Sequence, residues 1–232
     1  MRLAVIPARG GSKRIPRKNI KPFCGKPMIA WSIETAWRSG CFDAVVVSTD
    51  DIEIAEIAKA AGANVPFMRP AELADDHTGT LPVVAHAIRW HAEQGRSPEH
   101  VCCIYPTAPL LLPESLAQAY ERIVQTDSHF CLGVANFGHP IQRALRMSAS
   151  GHVSMFFAEY AQTRSQDLEP AYHDAGQFCW GTAAAFLEGR FPMLLNSAAV
   201  VLPRSRVVDI DTAEDWELAE ALHAALAAMS GT

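Results

Sequence analysis

Residues 6 to 19 run Ile6-Pro-Ala-Arg-Gly-Gly-Ser-Lys-Arg-Ile-Pro-Arg-Lys-Asn19, so an apolar strand, Leu3 to Ile6, opens straight into a glycine-rich loop loaded with cations. Glycines at 10 and 11 let backbone N–H groups converge on an anion, and Arg9, Lys13, Arg14, Arg17 and Lys18 surround it with positive charge. The charge is undiluted: residues 1 to 33 carry eight Lys or Arg and no Asp or Glu. The chemistry this suits is the holding of phosphates. Neither G-x-x-x-x-G-K-[ST] nor G-x-G-x-x-G can be read in it, which sets aside a kinase-type loop and a dinucleotide fingerprint. A merely solvated basic loop is the competing reading. Its place after the first strand of an α/β chain, where ligands sit at strand carboxyl ends, favours a ligand.

Near the other end of the chain, Asp209 and Asp211 are one residue apart at an expected strand end. Alternating strand side chains point both carboxylates to the same side. Hard oxygens suit Mg²⁺, which needs only one or two protein carboxylates. Asp211 also precedes Thr212 and Ala213, so capping of the last helix is the alternative role. The nine histidines are scattered and none stands out as a general base. Asp50 and Asp51, after the strand Val45 to Val47, read as structural: they can bond loop N–H groups or cap the next helix.

The elements that must position these groups alternate. Leu3–Ile6, Ala44–Val47, Val101–Tyr105 and Cys131–Ala135 read as buried strands. Between them, Pro27 opens a helix through Ile29, Ile33, Ala36 and Trp37, and Asp51 caps one that stops at Gly62. Further helices follow Pro82 and Pro113, and an Ala- and Leu-rich one runs from about Ala213 to Met229. This rhythm predicts an α/β fold: a Rossmann-like, mostly parallel sheet with helices on both faces. From about 137 to 176 the rhythm breaks into a polar stretch with weak strands at Leu145–Met147 and Val153–Phe157. That length is unusual for a structureless loop, so it is read as a small excursion, a lid or a dimerisation arm on a single domain. The chain then returns through Thr182–Leu187, Ala199–Leu202 and Val207-Val-Asp-Ile-Asp211.

With 232 residues, one large domain with a sizeable core is expected. A net charge of −5 and pI near 6.0 argue against a general nucleic-acid binder, so the basic loop is a local device for a small polyanion. The apolar run Leu3–Ile6 is too short for a signal peptide and no 18-residue apolar run occurs, so a cytoplasmic protein without membrane partners is expected. Six cysteines form no C-x-x-C pair and read as reduced, mostly buried thiols.

Ile6-Pro-Ala-Arg-Gly-Gly-Ser-Lys13 with Arg17-Lys-Asn-Ile-Lys-Pro22 resembles the opening of the CMP-sialic acid synthetases, cytidylyltransferases for nine-carbon 2-keto sugar acids. Val47-Ser-Thr-Asp-Asp51, Arg69-Pro-Ala-Glu-Leu73, Tyr105-Pro-Thr-Ala-Pro-Leu110 and Asp209-Ile-Asp-Thr212 follow in the family's order and at about its spacing. The resemblance implies the nucleotide-diphospho-sugar transferase fold, CTP and a 2-keto sugar acid as substrates, Mg²⁺ as cofactor and a homodimer whose arm reaches toward the partner's site. It puts Arg9, Lys18 and Asp211 in catalysis and Asp209 with Asp211 on the metal. For the nucleotide it points to Ala8, Arg9, Gly10, Gly11, Ser12, Lys13 and Lys18, with Asn19, Arg69 and Thr80 toward the base. Lys21 is a weaker cation.

Two departures bear on the sugar. Tyr105 stands where sialic-acid enzymes carry Gln, and Phe178-Cys-Trp-Gly181 where they show Arg-Pro-Asn-Gly. Thr163-Arg-Ser-Gln-Asp-Leu-Glu169, Tyr172-His-Asp-Ala-Gly-Gln-Phe178 and Cys102-Cys-Ile-Tyr-Pro-Thr-Ala-Pro-Leu-Leu111 resemble the family members that act on pseudaminic acid. A sugar with an extra amide and a deoxy terminus suits a more aromatic pocket. The sugar-site candidates are therefore Tyr105, Arg164, Gln166, Asp167, His173, Asp174, Gln177 and Trp180, with Arg164 facing the sugar carboxylate and Arg143 as its competitor. An ordered surface arm or dimer contact is the other reading of this polar cluster. The alternatives are activation of sialic, legionaminic or 3-deoxy-manno-octulosonic acid, a noncatalytic nucleotide-binding protein, or a polyanion-binding module.

Overall fold

The computed structural model describes residues 1–194 and 196–230, the side chain of residue 230 excepted. Six strands make the central sheet: β1 (Arg2–Pro7), β4 (Ala44–Ser48), β5 (His100–Ile104), β6 (Phe130–Asn136), β9 (Tyr172–Thr182) and β10 (Ser197–Val201). Their order is β10-β6-β9-β5-β1-β4. β1 runs parallel to β4 and β5, and β10 parallel to β6, while β9 lies antiparallel between β5 and β6. Two ribbons complete the strands: β2 (Pro22–Phe23) with β3 (Lys26–Pro27), and β7 (Leu145–Met147) with β8 (Val153–Met155).

Helices cover both faces. Ile29 and Ile33 of α1 (Met28–Arg38), Ile54 and Ala58 of α2 (Ile52–Ala60), and Leu116 and Ile123 of α4 (Pro113–Thr126) meet Ile6, Val47, Ile104 and Trp180 on one face. On the other, Val84 and Ile88 of α3 (Thr80–Glu93) and Phe186 of α5 (Ala183–Leu187) meet Leu3, Val5, Val46 and Phe130. A smaller cluster ties α6 (Ala213–Ser230) to the loop after β1: Ile15, Phe23, Met28, Ile210 and Trp216 are all buried in it.

The expected boundaries shift where local chemistry competes. Pro27 is the N-cap of α1 rather than its first residue. Trp37 does not enter the core; it is half-exposed, and its Nε1 donates to the Gly62 carbonyl at 3.0 Å. The stretch Val207–Asp211, expected to end a strand, lies outside the sheet and has no regular secondary structure. Thr182–Leu187, expected as part of the return, is the end of β9 followed by α5. The excursion is shorter than expected, because 172–176 already belong to β9. What remains, 137–171, holds the β7–β8 ribbon and three short helical turns.

Candidate active site

The loop after β1 is built from its own chain and from β4. Asp51 caps α2, accepting the Ile54 N–H at 3.0 Å, and also pairs with the Arg17 guanidinium. Arg17 has a positive φ of 56°, so this ion pair fixes a turn that most side chains disfavour. Asp50 accepts the Gly10 N–H at 3.0 Å. Both aspartates are structural, as their sequence positions indicate. Gly10 is required by close approach: a Cβ there would stand 2.6 Å from Asp51 Oδ2, whereas one on Gly11 meets nothing within 4 Å.

These contacts open a cleft of about 400 Å³ lined by Pro7, Arg9, Ser12, Lys13, Arg14, Lys18, Asn19, Tyr105, Pro106 and Thr107. Its cations divide between two carboxylates. Lys18 Nζ donates to the Ile210 carbonyl at 2.5 Å and lies 3.2 Å from Asp211 Oδ1, while Arg14 NH1 lies 2.7 Å from Asp211 Oδ2. Arg9 NH1 pairs with Asp76 Oδ1 at 2.6 Å, and Lys13 pairs with the other oxygen of Asp76. The side chain of Asn19 donates to the Arg9 carbonyl at 2.9 Å and holds the loop's shape from within the cleft.

Asp209 and Asp211 flank buried Ile210, whose side chain anchors the segment among Phe23 and Trp216. Asp211 does not cap α6. Thr212 and Asp215 do so reciprocally: Thr212 N–H donates to Asp215 Oδ2 at 2.7 Å and Asp215 N–H to Thr212 Oγ1 at 3.2 Å. Asp211 is thereby left to the cations. Asp209 is open to solvent on one side, yet the protein around its carboxyl, and next the Asp211 charge, raise its pKa above the usual carboxylate value, with Lys18 opposing. Two carboxylates that disfavour each other's charge are a donor set suited to a divalent cation. Among the described residues there is no cluster of three or more His, Cys, Asp or Glu side chains that could hold a metal.

Beyond Tyr105 lies a smaller, mainly apolar pocket of about 90 Å³, lined by Leu132, Phe178, Phe186, Phe191 and Met193 with Thr80, Tyr105 and Asp174 among its polar members. Burial pushes the Tyr105 phenol up in pKa, with the neighbouring Thr80 side chain opposing. Asp174 Oδ1 accepts the Gly176 N–H at 3.0 Å.

The remaining expected site residues fall elsewhere. Trp180 does not line a pocket: it is fully buried, stacked on Phe42 and bonded to the Leu116 carbonyl, because it shares the face of β9 that packs on the helices. Gln177 is also buried; its amide donates to the Arg206 carbonyl and its Oε1 has no protein partner. Arg69 lies beneath the loop, its Nε donating to Ser48 Oγ at 3.2 Å, and burial lowers its pKa. Arg164 pairs with Asp167 at 2.8 Å in an exposed turn, Ser165–Asp167, that also holds Gln166; none of the three lines the cleft. Arg143 donates to the Thr163 carbonyl at 2.5 Å. His173 is exposed, edge-on to Phe137 at 5.1 Å. Asp76 was not evident from sequence, although the acidic pair Asp75-Asp76 stands out just after Arg69-Pro-Ala-Glu-Leu73.

A mostly parallel sheet whose first strand ends in a cation-lined cleft, faced by a carboxylate pair, defines an α/β nucleotidyltransferase. The chain belongs to the cytidylyltransferase family, which it matches over residues 3–217. It is 50% identical over 95% of both chains to a Campylobacter jejuni protein named pseudaminic acid cytidylyltransferase. It is 33% identical, again over 95% of both chains, to the CMP-N,N'-diacetyllegionaminic acid synthase of Legionella pneumophila. In fold it is similar to a CMP:2-keto-3-deoxy-manno-octonic acid synthetase solved as a complex with CTP, with a TM-score of 0.69 at 16% identity over 97% of this chain and 99% of that one.

Proposed function

We propose that this cytidylyltransferase joins the CMP moiety of CTP to pseudaminic acid with release of pyrophosphate, supplying a donor for surface glycosylation. The observation that carries the reading is the cleft itself, in which Arg14 and Lys18 meet Asp211 while Arg9 and Lys13 stand beside them. For nucleotidyl transfer the α-phosphorus must be held for in-line attack and the leaving pyrophosphate neutralised. Arg9, Lys13 and Lys18 supply that charge, and Ser12 with the Gly10 and Gly11 backbone shapes the loop around the phosphates. Asn19 and the backbone at Ala8 face the cytosine, with Thr80 toward it at the Tyr105 end and Arg69 supporting from below.

Asp209 and Asp211 would hold Mg²⁺, which when bound supplies charge neutralisation at phosphate oxygens. Lys18, with three donors, is placed to orient Asp211 while contacting phosphate. The anomeric hydroxyl of the sugar attacks; the surrounding cations favour loss of its proton without a dedicated histidine.

The half-identity to the C. jejuni protein supports the choice of sugar. The apolar pocket beside Tyr105 and Asp174 supports an acylated substrate, since it has room for the methyl of an acetamido group and Asp174 can accept an amide N–H. The arm exposes Leu145, Met147, Val153, Phe156 and Phe157, more apolar surface than a free arm should present, which supports a homodimer. Arg164, Gln166 and Asp167 would then meet the sugar from the partner's arm, with His173 at the arm's return into β9. No described helix is long and apolar enough to cross a membrane, and a cytoplasmic location fits substrates of this kind.

The test is pyrophosphate release from CTP and Mg²⁺ with pseudaminic, legionaminic, sialic or octulosonic acid supplied separately. Release strongest with pseudaminic acid is expected; silence with all four would remove the reading.

A further inference from the structure

The four cations of the cleft are balanced in pairs, and the second pair has no evident reason to exist in a site awaiting phosphate. Arg14 and Lys18 sit on Asp211. Arg9 and Lys13 sit on Asp76, one carboxylate oxygen to each, and Arg9 NH1 also donates to the Asp75 carbonyl at 2.9 Å. One anionic group bridging two cations with two oxygens reproduces what a phosphoryl group would offer them.

The segment that delivers Asp76 is the loop 74–79 ahead of α3. Asp75 folds it back, accepting the His77 and Thr78 N–H groups at 2.9 and 2.6 Å. It ends at Thr80, the first residue of α3, which lines the apolar pocket together with Tyr105. The loop therefore joins the phosphate end of the cleft to the Tyr105 end. Both ion pairs are open to solvent, with the Arg9 and Asp76 side chains 36% and 39% exposed. Pairs of that kind are weak and exchange readily. A polyphosphate, with several negative charges, outcompetes a single carboxylate for the same two cations.

We propose that Asp76 is a positioning residue for the reaction: in the free protein it holds Arg9 and Lys13 ready in the cleft as a carboxylate stand-in, and the incoming phosphate chain displaces it, releasing the 74–79 loop. The contact keeps the two cations ordered and away from Asp211. This rests on the cleft being a triphosphate site, so the two claims are tested by separate arms.

Hydrogen exchange of residues 74–79 is followed in the wild type and Asp76→Asn, each free and with CTP, CMP or tripolyphosphate, alongside calorimetric binding of the same three. In the free protein Asp76→Asn should speed exchange in the loop while the global unfolding midpoint stays put. CTP or tripolyphosphate should speed it in the wild type and add nothing in the variant. CTP should bind the variant roughly 2- to 30-fold tighter, the worth of two exposed pairs, with a smaller change for CMP. Unaltered loop exchange in the free variant, or CTP bound no tighter than by the wild type, overturns the proposal. A wild type that binds tripolyphosphate but not CTP would instead contradict the nucleotide reading and leave the displacement result standing.

Discussion

The Trp180 indole lies flat on Phe42, ring centroids 4.8 Å apart and planes 9° from parallel, and its Nε1 donates to the Leu116 carbonyl at 3.0 Å. An indole held on its face and at its nitrogen, with no surface exposed, belongs to the core. Trp180→Asn should therefore lower stability by about 3–5 kcal/mol, as for other large core truncations, while the folded fraction keeps its sugar preference. Urea unfolding and relative kcat/KM for two sugars check this; a changed preference in a stable variant would return Trp180 to the sugar site.

Asp211→Asn is expected to cost turnover at least about 100-fold, since it removes one of the two carboxylates proposed to hold Mg²⁺ and the charge that positions Lys18 and Arg14. Its thermal midpoint should stay near that of the wild type, because Thr212 and Asp215 cap α6 without it. Pyrophosphate release and calorimetry on one preparation decide it, and near-normal turnover would take Asp211 out of the site.

Gly10 and Gly11 should differ sharply. An Ala at 10 must push Asp51 or the loop aside, and a loop misplaced by an ångström costs roughly 10- to 100-fold in kcat/KM for CTP. An Ala at 11 enters open space, and a change within about 0.5 kcal/mol in stability is expected. Equal effects from the two substitutions would contradict the close-approach account.

The Asp51 carboxyl is held below the usual carboxylate range, first by its hydrogen bond from Arg17, then by the Ile54 N–H and the Arg17 charge, with burial opposing. Because the folded-state pKa is the lower one, the stabilisation is complete above the unfolded value of about 4 and fades as pH falls through the folded value. Asp51→Asn keeps a capping side chain and loses the ion pair. Its stability deficit, about 0.2–1 kcal/mol at pH 7, should shrink when urea unfolding is repeated near pH 2.5; a deficit that grows in acid would refute this.

Burial raises the Cys103 thiol to about 12 and Cys131 to about 11, whereas Cys24 lies exposed at the tip of the β2–β3 ribbon. At pH 8 iodoacetamide should label Cys24 first and leave Cys103 and Cys131 untouched until the chain is unfolded. Mass mapping reads this directly.

Much of this was legible in sequence because it depends on local order. The strand, glycine pair and cation run of residues 3 to 18 name their own role, and Asp51 announces itself as a cap by its position before an apolar helical run. The long antiparallel strand β9 was not legible, since its first half is polar and its pairing with β5 and β6 is a tertiary choice. That same choice decides which side of β9 faces the helices, and so sends Trp180 inward. Asp76 was invisible for another reason: its partners Arg9 and Lys13 lie more than sixty positions away. The Asp209–Asp211 spacing shows two neighbouring carboxylates in sequence, but buried Ile210, rather than a strand, anchors the segment that carries them.

The most direct test is a competition. With CTP, Mg²⁺ and equal amounts of pseudaminic, legionaminic, sialic and octulosonic acids in one vessel, product ratios report relative kcat/KM. Mass spectrometry should find the CMP conjugate of pseudaminic acid in large excess over the rest; a dominant conjugate of another acid, or none of any, would contradict the account.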